Sequence, residues 1–340
     1  MQQQYIAKTL QGLENVLAKE LETLGAKDVE VLKRAVSFSG DKAMLYAANI
    51  YLRTAIKILQ PLTTFRADDV QELYDQILAF NWSEVMDVDD TFTIDNTVFS
   101  TTFTHSNYAA LKMKDALVDH FRNKFGRRPD VNKLDPTYRF NIRIKENEVS
   151  IALDSSGESL HKRGYRTETH AAPMSEVQAA GLILLSGWDV NQPLYDPMCG
   201  SGTIPIEAAL IANQIAPGLI RKTYGFQKWK DYDASLFRQL MVAAAGEVQQ
   251  RRLAIIGSDI SSRNIVMAIK HAGNAMPENS IKFFTKAFED AEPPRDKGVL
   301  IINPPYGERL QPEHIIEFYK TIGNVLKRKY AGFTAWVFSS

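Results

Sequence analysis

From about residue 160 onward the sequence alternates short apolar runs with helical segments, and this alternation restricts the fold more than any other feature. Leu194–Asp196, "RLAIIGSD", "IKFFTKAF", "KGVLIINPP" and "FTAWVFSS" read as strands. Between them "TIPIEAALIANQIA", "SRNIVMAIKHAGNA" and "EHIIEFYKTIGNVLKRKY" read as helices. Such an order calls for a parallel sheet covered on both faces. In such sheets ligands bind outside the carboxyl ends of the strands. The first sixty residues read differently. Their β-α-β-α-β order predicts a small α+β unit, with Gly25 as a helix stop and Asp41 as a helix N-cap.

Two turns at the carboxyl edge carry chemistry. In "LYDPMCGSGTIPIEAA" an acid, Asp196, ends a strand, and Gly200 and Gly202 precede a helix starting near Thr203. Glycines there let a ligand approach the backbone, and the helix start offers free N–H groups. The dinucleotide fingerprint needs a third glycine where this chain has Pro205. A carboxylate before the glycines suits an ammonium-bearing amino-acid moiety, which favours S-adenosylmethionine over a nicotinamide dinucleotide. Asp259 ends the next strand and is placed for ribose hydroxyls, though much further along than a plain dinucleotide unit would put it. The intervening insertion either packs on the sheet or walls the site through Trp229 and Tyr232. Ala287 and Phe288 border the expected adenine position, with the Phe288 ring either stacking there or serving as core.

The second turn is "INPPY". Asn303 and the Pro304 carbonyl can accept the two N–H bonds of a nucleobase exocyclic amine, leaving its lone pair free to attack a sulfonium methyl. Tyr306 can stack on a base taken out of its helix. The single cysteine, Cys199, lies in the cofactor turn and not beside this motif. Ring-carbon methylation needs a cysteine nucleophile, so the expected target is a nitrogen and Cys199 is a packing residue.

The 340 residues are 45% hydrophobic and 24% charged, ordinary for a globular chain with a sizeable core. No apolar run approaches a bilayer span and the N-terminus lacks an apolar signal core, so a cytoplasmic protein is expected. No cluster has metal-ligand spacing. The net charge is zero, yet 67–95 holds nine acidic and no basic residues while 106–145 holds ten basic against four acidic. Cancelling patches leave room for a basic face.

The motifs "DPMCGSGTIPIEAA" and "NPPYGERL", with "ALDSSGESLHKRGYR" and "AAPMSEVQAAGLI" before them, resemble those of THUMP-containing RNA methyltransferases that modify the exocyclic amine of guanine in 23S ribosomal RNA. The resemblance covers nearly the whole chain. It implies a ferredoxin-like part over 1–60, a THUMP RNA-binding domain over 61–155 and a Rossmann-like methyltransferase domain over 160–340, with strand order 3-2-1-4-5-7-6. Carried over by motif, Asp196, Pro197, Gly200, Ser201, Gly202 and Thr203 bind the cofactor. Asp259 and Ile260, Ala287 and Phe288, and Pro173, Met174 and Ser175 complete that set. Asn303, Pro304 and Tyr306 hold the base. Lys112, Lys114, Arg122, Lys124, Arg127 and Arg128 become RNA phosphate contacts, and Lys162, Arg163 and Arg166 extend that path. The family often has an acid closing the third strand, where this chain has Ala287, with Asp290 shortly after. The fold of the family adds an antiparallel hairpin after "FTAWVFSS". A C-terminal segment is therefore expected to be missing, which would leave 333–339 as an uncovered edge. Adenine N6 methylation, an RNA-binding assembly factor with a relic cofactor site, and a dinucleotide oxidoreductase are the rival readings.

Overall fold

A computed structural model describes residues 2–103, 105–168, 174–275, 280–293, 295–305 and 312–338. The N-terminal half begins β1 (Gln3–Lys8), α1 (Glu14–Leu24), β2 (Lys27–Leu32), β3 (Ala35–Gly40), α2 (Lys42–Tyr51) and β4 (Lys57–Arg66). It continues α3 (Val70–Ala79), β5 (Thr91–Phe99), α4 (Ser106–Phe125), β6 (Asp130–Val131), β7 (Tyr138–Lys145) and β8 (Glu148–Asp154). Gly25 closes α1 in the left-handed region (φ 90°), and the Asp41 carboxylate caps α2 by accepting from the Met44 N–H at 2.9 Å.

All eight strands form one sheet in the order β2-β3-β1-β4-β8-β7-β5-β6. The boundary expected between residues 60 and 61 falls inside β4. That strand pairs with β1 through 57–59 and with β8 through 59–66, so the ferredoxin-like and THUMP parts share it. Pro61 cannot donate to the ladder, and the register slips between Pro61 and Thr63. Helices α1 to α4 bury their apolar faces on one side of this sheet, around Trp82, Phe92, Phe121 and Phe140.

The second half runs α5 (Glu176–Leu185), β9 (Leu194–Asp196), α6 (Thr203–Ala212), α7 (Ala234–Gly246), β10 (Ile255–Asp259), α8 (Ser262–Asn274), β11 (Ile281–Thr285), β12 (Gly298–Ile302), α9 (Pro312–Lys329) and β13 (Phe333–Val337). The strands are all parallel, in the order β11-β10-β9-β12-β13. This matches the 3-2-1-4-5 portion of the expected order. Successive side chains enter opposite cores: Leu194, Val299 and Ile301 face one, Tyr195, Leu300 and Ile302 the other. That double burial is why β12 reads as an unbroken apolar run. The strand order reverses between β9 and β12, so their carboxyl ends diverge and leave a crevice.

The insertion between α6 and β10 does not wall this crevice. Phe226 stacks on Tyr46 of α2 at 4.3 Å, and Trp229 and Tyr232 join the N-terminal core. The Asp233 N–H donates to the Tyr46 hydroxyl at 3.0 Å and the Lys230 N–H to the Tyr138 hydroxyl at 3.1 Å. The insertion therefore fastens the C-terminal half to the N-terminal half: Leu219 and Ile220 pack on the core of the former, and Phe226, Trp229 and Tyr232 on that of the latter. Tyr46→Phe keeps the ring and removes the acceptor. It should cost about 1–2 kcal/mol in urea unfolding with ligand affinity unchanged; an unaltered midpoint would show the bond to be dispensable.

Candidate active site

A cavity of about 520 Å³ opens at the carboxyl ends of β9, β10 and β12. Asp196, Pro197, Gly200, Ser201 and Thr203 line it from the turn after β9, and Asp259, Ile260 and Asn264 from β10 and α8. Ala287, Phe288 and Glu289 contribute after β11, Asn303 and Pro305 after β12, with Met174 at the rim.

The two glycines of the first turn serve different ends. Both are left-handed, at φ 53° for Gly200 and 84° for Gly202. A Cβ on Gly200 would meet nothing within 4 Å, so its backbone lies open for close approach. A Cβ on Gly202 would come within 2.9 Å of Ala268, so that glycine admits α8 rather than a ligand. The Gly200 N–H donates to Asp259 Oδ2 at 3.0 Å, and Asp259 Oδ1 accepts from the Ser261 N–H at 2.9 Å and Asn264 Nδ2 at 3.0 Å. Asp259 thus locks the glycine turn to the next strand while Oδ2 keeps a lone pair for a further donor.

Asp196 is 1% exposed and has no cationic partner among the described residues. Its Oδ1 accepts from the Met198 N–H at 3.2 Å. Burial, with the Asp259 charge adding to it, holds the carboxyl well above the usual carboxylate range. Asn303 Oδ1 is likewise buried and accepts no hydrogen bond among the described residues. An unpaired buried acceptor costs about 1–3 kcal/mol unless something else satisfies it.

Three family models match the chain: an RlmL ferredoxin-like domain over 4–59, a THUMP domain over 67–154, and an RMKL-like methyltransferase domain over 163–340. The chain belongs to the RMKL-like methyltransferase family. A Synechocystis protein provisionally named an RNA methyltransferase is 40% identical over 98% of this chain and 88% of its own length. The Photobacterium profundum ribosomal RNA large subunit methyltransferase K/L is 39% identical over 99% of this chain, which spans 48% of that longer protein. Among solved structures, a Listeria monocytogenes protein described by prediction as an N6-adenine-specific DNA methylase is 32% identical. It superposes with a TM-score of 0.89, covering 100% of this chain and 89% of its own. A protein provisionally described as a methyltransferase, crystallised with S-adenosylhomocysteine, is 30% identical with a TM-score of 0.88, over 99% of this chain and 89% of that one.

Within this RMKL-like domain several expected residues are placed otherwise. Of the two readings left open for Phe288, the packed one fits its ring, which is 3% exposed and stacks on Tyr330 at 5.9 Å, while the residue still lines the cavity. Pro305 lines the wall where Pro304 was expected; Pro304 is buried behind it. Gly202 and Ser175 are not on the lining. The acid near the third strand is Glu289, not Asp290. Pro173 and Tyr306 lie outside the described residues. Asn264, Met198 and Phe318 line the cavity without having been singled out. Asn264 had a signal: with Ser261 capping α8, the fifth residue after Asp259 returns over the strand end.

The expected RNA path through Arg163 and Arg166 is corrected. Arg163 is 1% exposed, donates to the carbonyls of Leu160 and Arg53, and faces Glu207 at 3.5 Å. It sits in the seam between the two halves. Arg166 donates to Thr203 Oγ1 at 2.8 Å and the Met174 carbonyl at 3.1 Å, and pairs with Glu176 at 3.3 Å. Burial pushes the Glu176 carboxyl up to about 7 against the pull of Arg166. Arg166 therefore positions two cavity walls. Arg166→Met should weaken S-adenosylhomocysteine binding about tenfold, consistent with loss of charge-assisted bonds; unchanged affinity in calorimetry would make it a fold residue only.

Lys112, Lys114, Arg122 and Arg128 do gather, around a second hollow shared with Tyr74 and Asp119. Their charge is partly spent locally: Lys114 pairs with Asp115 at 2.7 Å and Arg122 with Asp119 at 2.5 Å. Lys124 donates to Ser83 Oγ at 3.1 Å, Arg127 pairs with Asp89, and exposed Lys162 pairs with Glu158 at 2.9 Å. The acidic and basic segments thus lie side by side. Among the described residues, no helix is long and apolar enough to cross a membrane, and no group of three acids, histidines or cysteines could hold a metal ion.

Proposed function

We propose that the chain methylates the exocyclic amine, N2, of a guanine flipped out of 23S ribosomal RNA, using S-adenosylmethionine. The observation that carries this reading is Asn303 Oδ1, a buried acceptor with no partner among the described residues, on the wall of a cavity that also holds the Asp196 carboxyl, which has no cationic partner among them. An amine donor satisfies the first and an ammonium the second. The bound cofactor supplies an electrophilic methyl on a sulfonium. Asp196 takes the ammonium of its amino-acid part, Asp259 Oδ2 a ribose hydroxyl, and Ile260 flanks the adenine. Asn303 accepts an N–H of the target amine, which turns that nitrogen's lone pair away from the ring and toward the methyl. Guanine in ribosomal RNA is supported by the motif resemblance and by the Photobacterium relative's name.

Incubating the protein with methyl-labelled cofactor and ribosomal RNA, then analysing nucleosides, tests it. N2-methylguanosine is the expected product. Labelled N6-methyladenosine would overturn the base assignment, and no label with intact cofactor binding would leave the chain an RNA-binding factor with an idle cofactor site.

A further inference from the structure

The helices pack on one face of the eight-stranded sheet; on the other, Leu59, Asn141, Ala152 and Asp154 are buried while Arg66, Phe99, Arg143 and Lys145 are exposed. Register assigns the other face: Lys8 lies beside Lys57, Lys57 near Asp154, and Asn141, Arg143 and Lys145 beside Ala152, Ser150 and Glu148. Across β1, β4, β8, β7 and β5 this second face carries Lys8, Lys57, Arg66, Arg139, Arg143 and Lys145 against Asp95, Glu148 and Asp154. Its centre is balanced. Lys57 pairs with Asp154 at 2.8 Å and Asp95 at 2.7 Å, and Arg139 reaches Asp95 at 3.5 Å. Lys8, Arg66, Arg143 and Lys145 have no ion-pair partner among the described residues.

Lys8 is a half-buried cation whose nearest polar contact is Asn141 Oδ1 at 3.4 Å. Burial and the Lys57 charge push its ammonium down, so an incoming anion relieves it. Between these cations Ser150 and Thr97 are half-buried hydroxyls, Thr93 and Ser37 of β3 are buried, and Ile6, Leu59 and Ala152 share the face. By the same register the exposed Phe99, directly beside Lys145, is the one aromatic on these five strands' second face. Single-stranded RNA is held by stacking bases on aromatics, and a duplex by its phosphates and hydroxyls.

We propose that the exposed, cation-bearing part of this sheet face, at Arg66, Arg143 and Lys145, docks the phosphate backbone of double-stranded RNA, a surface separate from α4 and from the cavity. The proposal rests on the RNA reading above. The test is Arg143→Glu with Lys145→Glu in the full chain, both sites being exposed. Anisotropy titrations use a fully paired RNA hairpin and a single strand of equal length over a range of salt. The duplex should bind about tenfold or more weakly, with a log–log salt slope smaller by about 2, while the single strand, S-adenosylhomocysteine affinity and melting stay as before. Undiminished duplex binding by the variant sinks this surface and leaves the RNA reading standing. Equal loss for both RNAs overturns the preference for duplex. If the unaltered protein binds neither RNA, the proposed function falls first, and this surface with it.

Discussion

Asn303→Ala lowers methyl transfer by about 10²–10³-fold, the usual loss for one preorganised acceptor or donor at a reacting centre, and leaves S-adenosylhomocysteine affinity within about twofold. The asymmetry follows from position. Asn303 follows β12, on the opposite side of the strand-order reversal from β10, whose Asp259 secures the glycine turn. Its Oδ1 is buried and accepts no hydrogen bond among the described residues. Removing that oxygen takes away an unsatisfied acceptor, so stability should hold or rise slightly. Single-turnover rates with saturating cofactor, paired with calorimetry, separate the outcomes. Equal loss of rate and affinity would place Asn303 among the cofactor contacts.

Much of the catalytic half was legible because its signals are local. The strand–glycine–helix turn at Asp196 and the strand ends at Asp259 and Ile302 follow from short apolar runs and their exits, and the structure gathers them on one edge. The failures share a cause: they depend on partners distant in sequence. Arg163 and Arg166 read as surface charge, yet Glu207 and Glu176 draw them inside. Trp229 and Tyr232 gave no sign that their pocket was α2. The division near residue 60 is not among these failures; that both parts pair through β4 is a matter of long-range pairing, which periodicity along one strand does not encode. Phe288 and Glu289 both reach the cavity lining from the short helical turn there, and the packing of the Phe288 ring on Tyr330 again depends on a partner distant in sequence.

Asp196→Asn weakens S-adenosylhomocysteine binding by about 10²-fold, within the 2–5 kcal/mol cost of losing one partner of a buried charge pair. It should also abolish the pH dependence that the carboxyl imposes. In the free protein, burial holds this carboxyl well above the usual range. An ammonium beside it lowers that value, so binding expels a proton wherever the free protein retains one. Affinity therefore falls as pH drops through the free-state value, and calorimetry in buffers of different ionisation heat reads the proton directly. Stability carries the opposite sign. A carboxyl raised on folding favours the fold at pH below its unfolded value, and that contribution is lost as pH rises through the folded one. The asparagine does not ionise, so the unliganded variant should melt at or above the native protein at alkaline pH while binding worse. A variant that binds as tightly as the native protein, or still releases the proton, would remove Asp196 from the ammonium site. One that binds weakly and also melts lower at every pH would reduce its role to holding the Met198 turn.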